Sequence, residues 1–256
     1  MVPSTPGSSP RGSAWPALLG VAHGGRDPAA QATIRALLTR VAGLAPGIAV
    51  RAAFVQHAEP SLAGALASDA AGPVVIVPLL LAAGYHLGHD IGEAAQRAGV
   101  PVAAPLGPDP GLVPALAGRL AAAGVPDCAP VVLAAAGSAD PQAAAATRDQ
   151  AALLAERRRA PVLAAFASAA RPTVAEAIAD LTARTGGPVA VATYLLAPGS
   201  FHDRLRHSGA AWVSPPLGDH PAMAGLVLDR FRAAAGRASG PVRPVRPGLA
   251  APRSPR

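Results

Sequence analysis

The sequence predicts an α/β protein of two similar Rossmann-like lobes, each a parallel sheet flanked by helices, with a cleft between the lobes. Three observations predict it. Short apolar runs alternate with helical patterns along residues 16–236, and the alternation occurs twice. One run, Val74 to Leu81 (VVIVPLLL), is apolar without interruption, as in a strand buried on both faces. Strands alternating with helices at this spacing imply right-handed βαβ crossovers, which give a parallel sheet.

Taken in order, residues 17–22 (ALLGVA) read as a strand that ends at His23-Gly24-Gly25, and a helical pattern runs from Pro28 to Val41. Residues 48–55 read as the next strand and Pro60 to Ala70 as its helix. The strand at 74–81 leads to a helix from His86 to Ala98, then a short strand near Val102 and a helix from Pro110 to Ala122.

The second half repeats the first. Gly24 to Pro28 (GGRDP) matches Gly137 to Pro141 (GSADP), and Ala53 to Leu62 (AFVQHAEPSL) matches Ala165 to Val174 (AFASAARPTV). Pro73 to Gly84 (PVVIVPLLLAAG) matches Pro188 to Gly199 (PVAVATYLLAPG), and Pro105 to Pro110 (PLGPDP) matches Pro216 to Pro221 (PLGDHP). The expected organisation is a lobe at 16–124, a second at 125–236, and tails at 1–15 and 237–256. Ligands of open parallel sheets sit at the carboxyl ends of the strands, so facing lobes form a binding cleft.

Composition excludes several classes. The net charge of +7 suggests nucleic acid until it is located: every basic residue is Arg. Arg11, Arg237, Arg243, Arg246, Arg253 and Arg256 lie in acid-free tails, which leaves +1 for residues 16–236. The folded part therefore gives no reason to expect a nucleic-acid partner, and the Pro-rich tails read as solvated segments. The single cysteine, Cys128, allows neither an internal disulfide nor a Cys-based zinc site. No signal peptide and no long apolar span is read, so a cytoplasmic protein without a membrane partner is expected.

The repeat allows an internal comparison of the strand ends. His23 closes the first strand of the first half, where the second half has Ala136; His86 follows the third strand, where the second half has Phe201, with His202 one residue on. A lone His is most often a hydrogen-bonded structural residue. Two at strand ends of one lobe leave that reading and metal handling equally open, because imidazole suits borderline ions such as ferrous iron, cobalt, nickel and zinc, and is a base near neutrality. Two ligands with open coordination positions fit an ion that must be passed on, whereas a closed four-ligand shell fits a structural site.

GVAHGGRDP, AFVQHAEPSL and VVIVPLLLAAGYHLGHDI resemble the sirohydrochlorin chelatase family, the type II chelatases of sirohaem and cobalamin synthesis, over about residues 17–236. The resemblance implies a chelatase-like fold and insertion of a divalent metal, Co2+ or Fe2+, into sirohydrochlorin, a polycarboxylate, with no organic cofactor. It carries metal-binding and catalytic roles onto His23 and His86. One departure stands out: where some members have a Glu four residues before the Pro, this chain has Gln56, which cannot hold a cation by charge. Glu59 is a nearby substitute, although its place beside Pro60 fits a helix start. His57 is adjacent, but strand alternation points it away from Gln56. His89, three residues after His86, is either a partner of it on one helical face or a polar residue on an exposed turn. Gly24, Gly25 and Arg26 form a turn whose N–H groups suit a substrate carboxylate, and an ordinary βα loop has the same composition.

Three other classes compete with this reading. A histidine phosphatase needs an Arg-His-Gly motif, and here Ala22 precedes His23. A non-catalytic metal carrier or tetrapyrrole-binding protein on the same scaffold differs from a chelatase only in turnover. No GxGxxG opens the first helix, which disfavours a dinucleotide-binding dehydrogenase.

Overall fold

A computed structural model of the chain describes residues 15–68, 72–82 and 85–238, with the side chains of 85–88 and 238 outside the description. The N-terminal tail and residues 239–256 of the C-terminal one lie outside the described residues. Residues 237 and 238, read as tail from composition, continue the last helix.

The first half contributes β1 (Ala17–Ala22), α1 (Pro28–Leu44), β2 (Val50–Phe54), α2 (Leu62–Ala67), β3 (Val74–Pro78), α3 (Tyr85–Ala98) and α4 (Val113–Ala122). The second contributes β4 (Val131–Ala135), α5 (Pro141–Arg157), β5 (Val162–Phe166), α6 (Val174–Thr185), β6 (Ala190–Tyr194), α7 (Ser200–Arg206), β7 (Trp212–Val213) and α8 (Pro221–Ala238). The strands form two all-parallel sheets, ordered β2-β1-β3 and β5-β4-β6-β7. The central strand of each sheet is thus the first of its half. Its carboxyl end lies where the strand order reverses, the position at which such sheets bind ligands.

Several elements are shorter than the sequence suggests. The strand expected to reach Leu81 stops at Pro78, because proline has no N–H to continue the ladder. Leu79 N still donates to Val21 O at 2.8 Å before the chain leaves the sheet. The expected strand near Val102 is a single parallel bridge to Ile76. The helix expected from Pro60 starts two residues later, because Ser61 caps it by accepting from Gly64 N. Pro110–Leu112 is a 3-10 turn closed by Asp109, which accepts from Gly111 N at 2.7 Å, and α4 follows it.

The two-residue period of the strands divides the apolar side chains into distinct layers. Leu19, Val21 and Ile76 face outward onto Leu62 of α2 and Ile91 and Ala95 of α3. Val132, Ala134 and Val191 face outward onto α6 and Leu205 of α7. The opposite faces of both sheets join one continuous core, in which Leu18, Phe54, Val75 and Val77 are continuous with Val131, Leu133, Phe166 and Tyr194.

Two helices cross within that core. Helix α4, from the first half, packs on α5 and β6; α8, from the second, packs on α1 and β3. The repeat in sequence is therefore also a repeat of packing, a reciprocal one in which each half lends its last helix to the other sheet. Phe231 of α8 is fully buried, and burying such a ring contributes about 1.5–3 kcal/mol. Arg230, one residue earlier, donates to the carbonyls of Pro105 and Leu106 and pairs with Asp109 at 2.6 Å. The halves are held as one body by burial and by directed polar contacts.

Candidate active-site cleft

The loop after β1 is built by a close backbone approach. Gly24 has φ +89°, and a Cβ there would lie 1.9 Å from Gln56 O. Its partner in the repeat, Gly137, has φ +95° and the same 1.9 Å conflict with Ser168 O. Both loops need glycine for steric reasons, so the Gly24 signal in the sequence is explained by the scaffold. Gln56 N donates to His23 O at 2.9 Å, which ties the ends of β1 and β2 together.

Other features obey the same two-fold rule. Asp27 caps α1 by accepting from Ala29 N at 2.9 Å, as Asp140 caps α5 from Gln142 N at 2.8 Å. Arg35 lies over Phe54 at 5.5 Å, as Arg148 lies over Phe166 at 5.7 Å. His57 and Ala169 both have φ 55°. His57 is therefore in a turn beyond β2, and the alternation expected of a strand does not govern where it points.

Against this shared frame the differences mark the site. His23, exposed at the end of β1, lines a cleft of about 610 Å³ that also takes its walls from the second half. The lining is mostly apolar, with Ile34, Phe54 and Leu79 on one side and Leu195, Leu196 and Phe201 on the other. Polar groups are few: Arg26, Asp27 and Gln31 from the first half, Ser200, His202 and Asp203 from the second. An apolar cleft of this size with a few convergent polar groups is the usual form of a small-molecule site. His23 also borders an adjoining cavity of about 340 Å³, lined by Leu79 to Ala82, Ala136 and Tyr194.

The structure brings some of the predicted residues together and separates others. Gly25, Arg26 and His23 share the cleft wall, and Gly25 O accepts from Gln31 Nε2 at 2.9 Å, fixing the turn against α1. His86 lies in the first turn of α3, just past the carboxyl end of β3, the neighbour of β1 in the sheet; its side chain is outside the described residues. Gln56 is exposed and outside the cleft lining. Glu59 accepts from Ser61 N at 2.7 Å, a helix-start role. His89 is on the exposed surface of α3, 2.9 Å from Glu93 one turn on.

Two residues, Gln31 of the cleft and Tyr194 of the adjoining cavity, had no place in the sequence reading, and His202 entered it only as a residue one place past the match to His86. Gln31 sits one helical turn into α1. Tyr194, buried at the end of β6, donates from its hydroxyl to Leu81 O at 2.8 Å. Burial and the nearby Asp109 push the Tyr194 phenol far above its ordinary range, so it stays a neutral donor. His202, half-buried, lies in α7 with the Ser214 backbone beside it. Burial lowers its pKa and Arg206 adds to that, while the Ser214 backbone and Asp203 oppose it. A polar handle on a fully buried strand end was the available signal for Tyr194, and a third histidine after a matched strand was the signal for His202.

A family model described as CbiX matches the chain twice, over residues 17–123 and 130–234. The sirohydrochlorin ferrochelatase of Bacillus subtilis (strain 168) is 28% identical over 247 residues, covering 88% of this chain and 94% of that one. Among solved structures, SirB from Bacillus subtilis with Fe3+ is 28% identical with a TM-score of 0.75, covering 87% of this chain and 96% of that one. The sirohydrochlorin chelatase SirB from Bacillus subtilis subspecies spizizenii, in complex with cobalt, is 26% identical with a TM-score of 0.70, over 86% of this chain and 95% of that one. A CbiX described as the terminal enzyme of siroheme biosynthesis in denitrifying bacteria is 29% identical with a TM-score of 0.63, over 85% of this chain and 99% of that one.

Proposed function

The chain belongs to the CbiX family, and on that premise we propose that it is a chelatase that inserts a divalent metal ion, cobalt or ferrous iron, into sirohydrochlorin. The observation that carries the reading is the place of His23, at the switch point of the first sheet and on the wall of a cleft shared by both halves. The strand next to it leads into the turn that bears His86.

In this reading the ion is a substrate. His23 and His86 hold it through neutral imidazole nitrogens, which bind cobalt and ferrous iron without enclosing them. Among the described residues no group of three or more His, Cys, Asp or Glu side chains gathers around an ion position. The macrocycle enters the apolar cleft, where the walls contributed by Phe54, Leu195 and Phe201 fit its conjugated faces. Arg26, exposed on the cleft wall, suits a peripheral carboxylate of the substrate. As metal–nitrogen bonds form, two pyrrole N–H protons leave, and imidazole is the side chain whose ordinary pKa lets it accept them near neutrality. No described helix is long and apolar enough to cross a membrane.

The test is an anaerobic insertion assay with purified protein and sirohydrochlorin, run with cobalt and with ferrous ion in parallel. Catalysed conversion with either ion supports the proposal. Tight binding of ion and macrocycle with no acceleration would identify a carrier on the same scaffold instead.

A further inference from the structure

We propose that His202, on the second-half wall of the cleft, is the base that receives the macrocycle N–H protons, so that ion holding and deprotonation are divided between the two halves. The inference rests on the chelatase reading above.

Three observations support it. His202 lines the same cleft as His23 from the opposite half of the chain. It lies on α7, which follows β6 as α3 follows β3, so the duplication places an imidazole on each half at the matched strand end. The Ser214 backbone lies beside it and favours the protonated ring, the state His202 enters on taking a proton. That segment is itself fixed, since the Ser214 carbonyl accepts from the Thr193 hydroxyl at 2.6 Å and Thr193 N donates to Ser214 Oγ at 2.9 Å. Burial favours the neutral ring, the form that can take a proton.

The step balances simply. A pyrrole N–H bond breaks, its electron pair stays on nitrogen and bonds the incoming ion, and the proton passes to the unprotonated ring nitrogen of His202. The half-buried imidazolium then returns that proton to solvent, and the second N–H proton follows the same route. Placing the base away from His23 and His86 avoids protonating the groups that must hold the ion, because a protonated imidazole cannot bind metal.

The experiment compares wild type, His202→Ala and His202→Gln by two readouts: binding of cobalt ion alone, and the rate of cobalt insertion into sirohydrochlorin. The expected result is unchanged cobalt affinity, a kcat about a hundredfold lower in both variants, and partial recovery of His202→Ala by added imidazole. Gln keeps a polar side chain of similar reach but cannot take up a proton, so it decides the matter if the Ala variant fails to fold. Insertion within twofold of wild type would overturn the role of His202 and leave the chelatase reading standing. Loss of cobalt affinity would also overturn it, by making His202 a ligand. Absence of insertion by the wild-type protein would overturn the chelatase reading and this inference together.

Discussion

The hydroxyl of Tyr194, at the end of the second sheet's β6, donates to the carbonyl of Leu81, in the loop that leaves the first sheet's β3. This bond crosses between the halves and steadies the segment leading to the helix that carries His86. Tyr194→Phe keeps the ring packing and removes the donor. It should lower stability by about 1–2 kcal/mol, roughly 2–8 °C in Tm for a chain of this size. Insertion should fall further than stability implies, by roughly fivefold or more in kcat at 25 °C, because small displacements of a reacting group are costly. Thermal unfolding and steady-state kinetics on the same sample check both parts.

Gly24 and Gly137 offer a matched pair. Alanine at either meets a carbonyl oxygen at 1.9 Å in a backbone conformation that L-residues avoid. Each substitution should destabilise by about 1–3 kcal/mol. Their effects on turnover should differ, because the Gly24 loop positions His23 and the Gly137 loop follows Ala136. Chemical denaturation of both variants, with turnover corrected for folded fraction, separates the scaffold effect from the site effect.

Arg230 clamps α8 to the first half through the Pro105 and Leu106 carbonyls and the Asp109 carboxylate. Arg230→Ala leaves these acceptors in a partly buried setting and should cost about 1–3 kcal/mol. Arg230→Lys should restore little of it, since an ammonium cannot reproduce the guanidinium fork that spans the three oxygens. Urea unfolding of both variants is the check.

Stability should also respond to acid. His202 and His220 are both held below the ordinary histidine value, His202 mainly by burial and then Arg206, His220 by burial and then by Arg119 and Arg40, with Asp219 opposing. A lowered folded-state value means that the unfolded chain takes up the proton first as pH falls. Their contribution is therefore intact above about pH 6.5 and is lost as pH drops below it toward the depressed values. His220→Gln should flatten part of the fall in Tm between pH 7 and pH 5.

The order of elements was legible because the periodicities are strong: ALLGVA is the strand Ala17–Ala22, and the alternation of strand and helix is as read. Element ends were less legible where a single side chain decides them, as with Pro78 ending β3 and Ser61 starting α2. The crossing of α4 and α8 was not legible, because an apolar helical stripe says that a helix is buried and not which sheet buries it. At the site, His23 stood out because its repeat partner is Ala136. His202 was displaced by one residue from the match to His86, and only the packing shows that it reaches the cleft.

The most direct measurement is the anaerobic insertion rate of cobalt into sirohydrochlorin by wild type, His23→Ala, His86→Ala and the double variant, with circular dichroism confirming that each is folded. Two imidazoles that hold one ion as a unit predict large losses in both single variants. They also predict a double variant scarcely worse than the weaker single, since effects of groups acting together are not additive. If both single variants stay folded and insert cobalt at near wild-type rates, His23 and His86 do not handle the metal.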